Sequence, residues 1–291
     1  MIDMLVVGGG YVGLSLAVAV KQAAPHLAVE VLEAAPEDAW RNDGRASAII
    51  AAASQLLGIL GVWQDIEPEA QPITRMVVTD SRTGDPVRPV FLTFAGEVTE
   101  GKPFAHMIPN LALVGALRQA CERLGVTIRH RTTASGFSAG STHVDVTLAD
   151  GSPLQARLLV ACDGVRSKLR DMAGIKTVRW DYGQSGIVTT VEHERPHEGC
   201  AEEHFLPAGP FAILPLKNNR SSLVWTERTA DADRLVRADD LVFEEELERR
   251  FGHKLGRLAV VGDRRAFPLG LTLARDFVAP RFALAGDAAH G

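Results

Sequence analysis

The feature that most constrains this chain is a glycine-rich turn between an apolar strand and a helix near the N terminus. The apolar run MLVV leads into Gly8, Gly10 and Gly13, spaced as G-x-G-x-x-G, and the sequence predicts an apolar helix over residues 11–24. A second strand rich in Val and Leu, over residues 28–35, completes a β-α-β unit, which is typical of a parallel sheet covered by helices. The chain is therefore predicted to open as an α/β nucleotide-binding fold.

The glycines and the acidic residue that follows them each have a predicted role in binding a dinucleotide. Gly8 permits the tight turn, Gly10 lets the backbone approach a pyrophosphate, and Gly13 lets the helix pack closely on the strand. The helix then offers free N–H groups and a positive dipole end to the phosphates. Glu33 closes the second strand, twenty residues after Gly13, where its carboxylate can accept hydrogen bonds from an adenosine ribose. A carboxylate there disfavours NADP and leaves NAD and FAD open.

Two further pairs of glycine and aspartate discriminate between these cofactors. Asp163-Gly164 and Gly286-Asp287 each follow a predicted strand. Carboxylates at strand ends suit the hydroxyls of a ribityl chain, which NAD lacks, and each glycine keeps the backbone low beside a bulky cofactor. The Tyr-x-x-x-Lys motif of short-chain dehydrogenases is absent. The sequence therefore favours FAD.

The pattern of apolar residues changes twice along the chain. It becomes β-rich near residue 73 and again near residue 180. We therefore predict two domains, each built from separated segments. The first is a Rossmann-like FAD-binding domain with a parallel sheet, from residues 1–74, 102–178 and 277–291; the second is a substrate domain around a mixed β-sheet, from residues 75–101 and 179–276.

Composition restricts the partners and the compartment. The formal net charge of −5 gives no support for nucleic-acid binding. The three cysteines are far apart and form no CxxC motif, which fits a reducing, cytoplasmic compartment. Residues 46–63 carry no charge, but serine, glutamine and glycine interrupt them, so we predict a buried helix around 46–60 rather than a membrane span. Peripheral contact with a membrane surface stays open.

Two short motifs match enzyme signatures without the structural context that those signatures need. His193 and His197 match the zinc-binding HExxH, but Pro196 would break the required helix and the preceding run is β-branched. In an extended strand the two residues would lie about 13 Å apart, so we predict no metal site. Ser138 matches GxSxG but lies in a predicted hairpin, whereas a nucleophile needs a strand-to-helix turn.

Four segments together resemble one flavoprotein family. GGGYVGLSLA, the DGRASAI stretch, CDGVRSKLR and ALAGDAAH follow one another in the order found in the class A flavoprotein aromatic hydroxylases. The chain looks most similar to the ubiquinone-biosynthesis hydroxylases, and the resemblance covers its whole length. It implies the fold of p-hydroxybenzoate hydroxylase, an FAD-binding domain with a parallel sheet joined to a mixed-sheet substrate domain.

The resemblance also implies roles for particular residues. It implies that the ADP half of FAD would be held by Gly8, Gly10, Gly13 and Glu33. Of the two arginines, Arg45 would lie along the cofactor near the pyrophosphate, and Arg118 would contact the phosphate or ribityl region. Of the two aspartates, Asp163 would hydrogen-bond near the pyrophosphate, and Asp287 would bind the ribityl chain. Arg118 belongs to a helix predicted over residues 110–124, with Asn110 as its N-cap.

The implied reaction is hydroxylation of the aromatic ring of a prenylated phenol in ubiquinone biosynthesis. NAD(P)H would act as a transient reductant of FAD, and the reduced flavin would form a C4a-hydroperoxide with O2. Other ubiquinone-biosynthesis proteins are implied as partners. The alternatives are a related flavoenzyme that acts on small aromatic acids or prenyl chains, and a flavin-free scaffold member of a biosynthetic complex.

Two expectations concern the pocket and the chain end. The sequence identifies no catalytic base; His204, Tyr182 and Trp225 are candidates for the substrate pocket, and the strand Phe211–Leu216 could form its apolar wall. The family pattern continues beyond Gly291 into a segment that lies against the flavin ring. We therefore expect the 291-residue form to bind little FAD and to lack hydroxylase activity.

Overall fold

The computed structural model describes residues 1–85, 87–95, 97–99 and 101–291. Pro86, Gly96 and Glu100, which belong to the predicted segment 75–101, lie outside the described residues. The strands are β1 (Ile2–Val7), β2 (Val29–Leu32), β3 (Ala46–Ile50), β4 (Gln71–Ile73), β5 (Arg75–Asp80), β6 (Val90–Ala95), β7 (Glu97–Thr99), β8 (Lys102–Pro103), β9 (Ala105–Pro109), β10 (Thr127–Arg129), β11 (Ala134–Ala139), β12 (Val144–Leu148), β13 (Pro153–Ala161), β14 (Thr177–His193), β15 (Cys200–Leu206), β16 (Gly209–Leu216), β17 (Arg220–Arg228), β18 (Leu258–Val260), β19 (Arg265–Ala274), β20 (Val278–Ala279) and β21 (Phe282–Leu284). The helices are α1 (Tyr11–Ala23), α2 (Ala51–Ile59), α3 (Trp63–Ile66), α4 (Asn110–Arg123), α5 (Lys168–Met172), α6 (Thr229–Arg237) and α7 (Asp240–Phe251), and short 3₁₀ turns span Ala39–Asn42, Glu67–Glu69 and Gly286–Ala288.

The first sheet contains the N-terminal β-α-β unit. Its parallel strands lie in the order β10-β2-β1-β13, and β21 continues the parallel arrangement on the other side of β13. Val7 is paired with both Leu32 and Ala161, and Ala161 is paired with Leu284. The carboxyl ends of these strands therefore lie at one level, and the turns that follow them share one edge of the sheet.

Both faces of this sheet are covered, which explains the apolar composition of its central strands. On one face Val6 packs with Leu14 and Val18 of α1 and with Leu117 of α4. On the other face a second cluster contains Leu5, Val7, Leu159 and Phe282. Burial of both faces holds the strand ends and the N terminus of α1 in a fixed relation.

The second sheet has the order β18-β14-β17-β16-β15-β5-β6, and β19 also pairs with β14. It is mixed, because β5 is parallel to β15 whereas the other pairs are antiparallel. Helices α6 and α7 cover one face, where Phe211, Trp225, Phe243 and Leu247 form a buried cluster. The strands come from residues 75–95 and 177–274 of the chain. Because the strands of this sheet come from those two separated segments, we propose the two-domain division described above.

The predicted helix around residues 46–60 is wrong in its first part and in its burial. Ala46–Ile50 is strand β3, which pairs antiparallel with β9, and the helix spans only Ala51–Ile59. Within that helix Leu57 is buried, whereas Ile59 is 78% exposed. In a short run of apolar residues, hydrophobic periodicity cannot distinguish a strand from a helix. Here the hydrogen-bonded pairing with β9 makes Ala46–Ile50 a strand. Across the described residues, no helix is both long and apolar enough to cross a membrane.

Candidate functional site

Three glycine-containing turns meet at the N terminus of α1, at the carboxyl edge of the parallel sheet. They follow β1, β13 and β21, and they contain Gly8, Asp163 and Asp287. A Cβ added to Gly8 would lie 2.2 Å from the carbonyl oxygen of Cys162, and one added to Gly286 would lie 3.1 Å from the side chain of Val12. Ligands of open α/β sheets bind at this edge, where the crossover connections diverge.

The glycines of the motif differ in what surrounds them. Gly8 has a φ of +114°, and a Cβ on Gly13 would lie 2.1 Å from the carbonyl oxygen of Gly8, so both positions are restricted by the backbone itself. Gly10 has no atom within 4 Å of an added Cβ, and it caps α1 without a side-chain hydrogen bond. The first N–H groups of α1, which have no partner within the helix, therefore face open space beside Gly10.

Glu33 lies directly beside this turn. Its Oε2 accepts a hydrogen bond from the backbone N–H of Gly9 at 2.9 Å, and its Oε1 accepts one from Ala35 at 2.8 Å. A Cβ on Gly9 would lie 2.6 Å from Oε2, so the middle glycine of the triplet Gly8–Gly10 is needed for this contact. Gly9 was not among the predicted site residues, because the G-x-G-x-x-G motif allows any residue at that position.

The two aspartate turns are joined by a fully buried arginine. Arg170 donates hydrogen bonds to the carbonyl oxygens of Val165 at 3.1 Å and Ala288 at 3.0 Å, so it links the Asp163 turn to the Asp287 turn. Asp163 Oδ1 is buried and has no hydrogen-bond partner among the described residues, whereas Asp287 is exposed. Burial raises the pKa of the neighbouring Cys162 thiol to about 12, so this cysteine is protonated and not a nucleophile at neutral pH.

A groove of about 540 Å³ begins at Gly9 and Glu33 and extends past Arg45 and Arg118. Arg45 forms a bidentate ion pair with Asp43, with two 2.8 Å contacts. Burial raises the pKa of Asp43, but hydrogen bonds from Arg45 and Asn110 outweigh it and lower the pKa to about 2. Asn110 does not cap α4 as predicted, because its side chain instead accepts a hydrogen bond from Ser47 and donates one to Asp43.

Arg118 points into the same groove from α4. It donates to Nε2 of His130 at 2.9 Å and lies 5.5 Å from the ring centre of Trp40, and it pairs with no carboxylate in the described part of the chain. Arg265 and Phe267 of β19 also line the groove. Sequence reasoning missed Trp40, Arg265 and Phe267, because only the folding of β19 against β14 brings the last two beside Arg45.

The expected substrate-pocket residues do not lie together. Trp225 and Phe211 are buried beneath α6 and α7, and His204 stacks on Phe211, so all three lie on the helix-covered face of the second sheet. Tyr182 is exposed near the bulge of β14. Alternation along β16 places Leu214 and Leu216 against a different cluster, so Phe211–Leu216 does not present one continuous wall.

The two histidines of the HExxH match are closer together than an extended strand would place them. The chain bends after β14, and the rings of His193 and His197 lie 5.6 Å apart. His193 is hydrogen-bonded to the carbonyl oxygen of Arg195 and to Ser221, and His197 to the carbonyl oxygen of Leu216 and the N–H of Gly199. Every ring nitrogen therefore has a protein partner. Ser138 belongs to β11, which continues into the turn before β12.

The arrangement fits the ADP and ribityl parts of FAD. The free N–H groups of α1 and the open side of Gly10 suit a pyrophosphate, and the Glu33 carboxylate beside them suits ribose hydroxyls. The orphaned Oδ1 of Asp163 is a buried acceptor that a bound group or an ordered water would satisfy. The class that the fold and site define is an FAD-binding α/β protein with an attached mixed-sheet domain.

Comparison with known proteins gives the family. The sequence matches the FAD binding domain family over residues 1–291. It is 43% identical over 293 residues to ubiquinone hydroxylase UbiL of Rhodospirillum rubrum, covering 99% of this chain and 66% of that protein. It is 32% identical over 294 residues to 3-demethoxyubiquinol 3-hydroxylase of Escherichia coli, covering 99% of this chain and 73% of that protein. The structure of p-nitrophenol 4-monooxygenase PnpA from Pseudomonas putida superimposes with a TM-score of 0.79 at 20% identity, covering 100% of this chain and 73% of that one.

These similarities confirm the resemblance and the predicted fold class. The chain belongs to the FAD-binding domain family and, within it, to the FAD-dependent hydroxylases of ubiquinone biosynthesis. It spans about two thirds of the length of the Rhodospirillum rubrum relative.

Proposed function

We propose that this protein is an FAD- and NAD(P)H-dependent monooxygenase that hydroxylates the aromatic ring of a polyprenylphenol in ubiquinone biosynthesis. The observation that carries the proposal is the meeting of three glycine turns, Glu33 and the free end of α1 at one edge of the sheet. The names of the relatives support the substrate class. Bound FAD would supply the redox chemistry, which takes electrons from NAD(P)H and activates O2.

The chain's own residues bind and orient the cofactor in this proposal. Glu33 accepts hydrogen bonds from the adenosine ribose, while Gly8, Gly10 and Gly13 allow the pyrophosphate to reach the N–H groups of α1. Asp163 and Asp287 lie on the two turns that Arg170 holds together, where they accept hydrogen bonds near the pyrophosphate and from the ribityl chain. We assign no general base.

The two groove arginines have different surroundings and therefore different proposed roles. Arg45 is held by Asp43, so its guanidinium is positioned and largely neutralised. Arg118 has no carboxylate partner in the described chain and retains its charge for a phosphate oxygen. The structure thus favours Arg118 over Arg45 as the stronger anion contact.

The partners of the proposed reaction are a prenylated phenol, O2 and other ubiquinone-biosynthesis proteins. Peripheral contact with a membrane surface is part of the same proposal, because a polyprenyl substrate resides in lipid. The exposed apolar side chains of Ile50, Leu56 and Ile59 on and beside α2 support it.

The test combines a spectrum with an oxidation assay. The full-length purified protein should show flavin absorbance, and its NAD(P)H oxidation should be stimulated by prenylphenols more than by simple hydroxybenzoates. If only hydroxybenzoates stimulated NAD(P)H oxidation, the result would contradict the polyprenylphenol substrate and support a hydroxylase of small aromatic acids. A full-length protein that has no flavin bands and also fails to take up added FAD would instead support the flavin-free scaffold.

A further inference from the structure

The guanidinium of Arg118 is held in the groove by two uncharged groups. On one side its Nη2 donates a hydrogen bond to Nε2 of His130 at 2.9 Å. On the other side its central carbon lies 5.5 Å from the ring centre of Trp40, which is the range of a cation–π contact. His130 is not part of the groove lining, so it contacts Arg118 from behind the site.

The backbone fixes the position of His130 between the two ends of the site. The N–H of Glu33 donates to the carbonyl oxygen of Arg129 at 2.9 Å, and the N–H of Thr132 donates to the carbonyl oxygen of Glu33 at 3.0 Å. His130 is therefore anchored to the strand end that carries Glu33, while its ring reaches α4. A side chain anchored in this way can hold a neighbouring group precisely.

The hydrogen bond to Arg118 also fixes the tautomer of the imidazole. A guanidinium only donates hydrogen bonds, so Nε2 of His130 must be the acceptor, and the ring proton is on Nδ1. Nδ1 is buried and has no hydrogen-bond partner in the part of the chain that the structure describes. Buried donors are nearly always paired, and an apolar side chain would occupy this place without an unpaired donor. Filling space therefore does not explain the imidazole, whereas holding Arg118 does.

The second groove arginine shows why an uncharged acceptor matters. Arg45 is oriented by the Asp43 carboxylate, and this ion pair cancels most of its charge. His130 and Trp40 orient Arg118 without adding a negative charge, so Arg118 keeps its full attraction for a phosphate oxygen.

We propose that His130 is a positioning residue for cofactor binding, which directs the Arg118 guanidinium into the groove without neutralising it. The proposal rests on the proposed function, in which Arg118 contacts a phosphate of FAD. It assigns to the cofactor site a side chain that does not touch the cofactor.

The test is a titration of the FAD-free full-length protein with FAD. Arg118→Met should raise the Kd of FAD about 10- to 100-fold, and His130→Leu should raise it about 5-fold. His130→Gln should stay within about 2-fold of the wild type, because its amide oxygen can accept the same hydrogen bond. His130→Glu also keeps an acceptor, but its charge neutralises Arg118, so its Kd should approach that of Arg118→Met.

A double variant separates positioning from packing. In the Arg118→Met background, His130→Leu should cause no further change in the Kd of FAD, because no guanidinium is left to hold. The matched control is His143→Leu. His143 is also half-buried and hydrogen-bonded, but its turn lies by Asp3 at the opposite edge of the sheet, so the Kd should not change.

The outcomes distinguish this inference from the proposed function. An equal rise in Kd from His130→Leu in both backgrounds, or a loss that His130→Gln does not rescue, would overturn the inference and assign His130 to packing. If His130→Leu does not fold, equal Kd values for His130→Gln and His130→Glu would overturn it instead. An unchanged Kd in Arg118→Met would overturn the inference but leave FAD binding intact, whereas a full-length wild type that takes up no FAD would overturn both.

Discussion

Gly10→Val separates cofactor binding from folding. The backbone of Gly10 has φ −75° and ψ 176°, which any residue adopts, and no atom lies within 4 Å of an added Cβ. Valine is a poorer N-cap than glycine, by about 0.5–1 kcal/mol, but it also reduces the entropy of the unfolded chain by a similar amount. We therefore expect the free energy of unfolding of the FAD-free protein to change by less than about 1 kcal/mol.

The effect on FAD should be much larger. The valine side chain would occupy the space through which the pyrophosphate reaches the N–H groups of α1. Hydrogen bonds to a charged group contribute about 1.5–3 kcal/mol each, so losing two of them costs about 3–6 kcal/mol. That range corresponds to a loss of affinity of about 10²- to 10⁴-fold.

The assay is urea unfolding of the FAD-free full-length variants, followed by titration of each variant with FAD. Gly136→Val is the matched control, because Gly136 lies in β11 away from the groove and also has open space at its Cβ. Gly13→Ala should show the opposite behaviour, since its Cβ would lie 2.1 Å from the Gly8 carbonyl oxygen and the fold itself should be destabilised. Unchanged FAD affinity in Gly10→Val, or destabilisation equal to that of Gly13→Ala, would refute the reasoning.

Three further predictions concern other parts of the molecule. Glu33→Ala should weaken FAD binding by about 1–3 kcal/mol in a titration, and Glu33→Gln should have an intermediate effect because it keeps one acceptor oxygen. Equal FAD affinity in the wild type and both variants would contradict the ribose role of Glu33. Arg170→Met should lower the free energy of unfolding, measured in urea, by about 2–4 kcal/mol, because it leaves the buried carbonyl oxygen of Ala288 and the partly buried one of Val165 without their donor. A change below about 0.5 kcal/mol would argue against the link between the turns. Burial and the nearby Arg88 lower the pKa of His204 to about 4. Since the unfolded state then binds more protons between pH 6.5 and 4, stability should fall as pH falls through that window, and His204→Gln should flatten a plot of urea midpoint against pH.

Much of the proposed cofactor site could be located from local sequence. Strand, turn and helix at residues 2–23 are adjacent in the chain, so the geometry around Gly8, Gly10 and Gly13 follows from short-range constraints. The other strand-end aspartates, Asp163 and Asp287, were also identifiable, because each ends a recognisable apolar strand. That these turns lie together follows from the parallel order of the strands.

The errors arose where local patterns were ambiguous. The run Ala46–Ile50 is apolar without a period, and only its pairing with residues 105–109 makes it a strand. His193 and His197 come close because the chain bends between them, which an assumption of extended backbone excluded. Trp225 and His204 lie in strands that were predicted from the sequence. The sheet face on which each side chain lies, however, depends on the strand register and on which face α6 and α7 cover.

By itself, the sequence determined the β-α-β unit, the proposed place of the dinucleotide site and the choice of FAD. The first two depend on residues that are close in the chain, and the third depends on carboxylates that follow particular strands. Only the tertiary structure decided which distant groups meet. Arg170 joins two turns that are more than a hundred residues apart, and Thr190, Ser222 and Arg265 line one cavity because β14, β17 and β19 pair in one register. Such contacts arise from long-range strand pairing and packing, which no local pattern encodes.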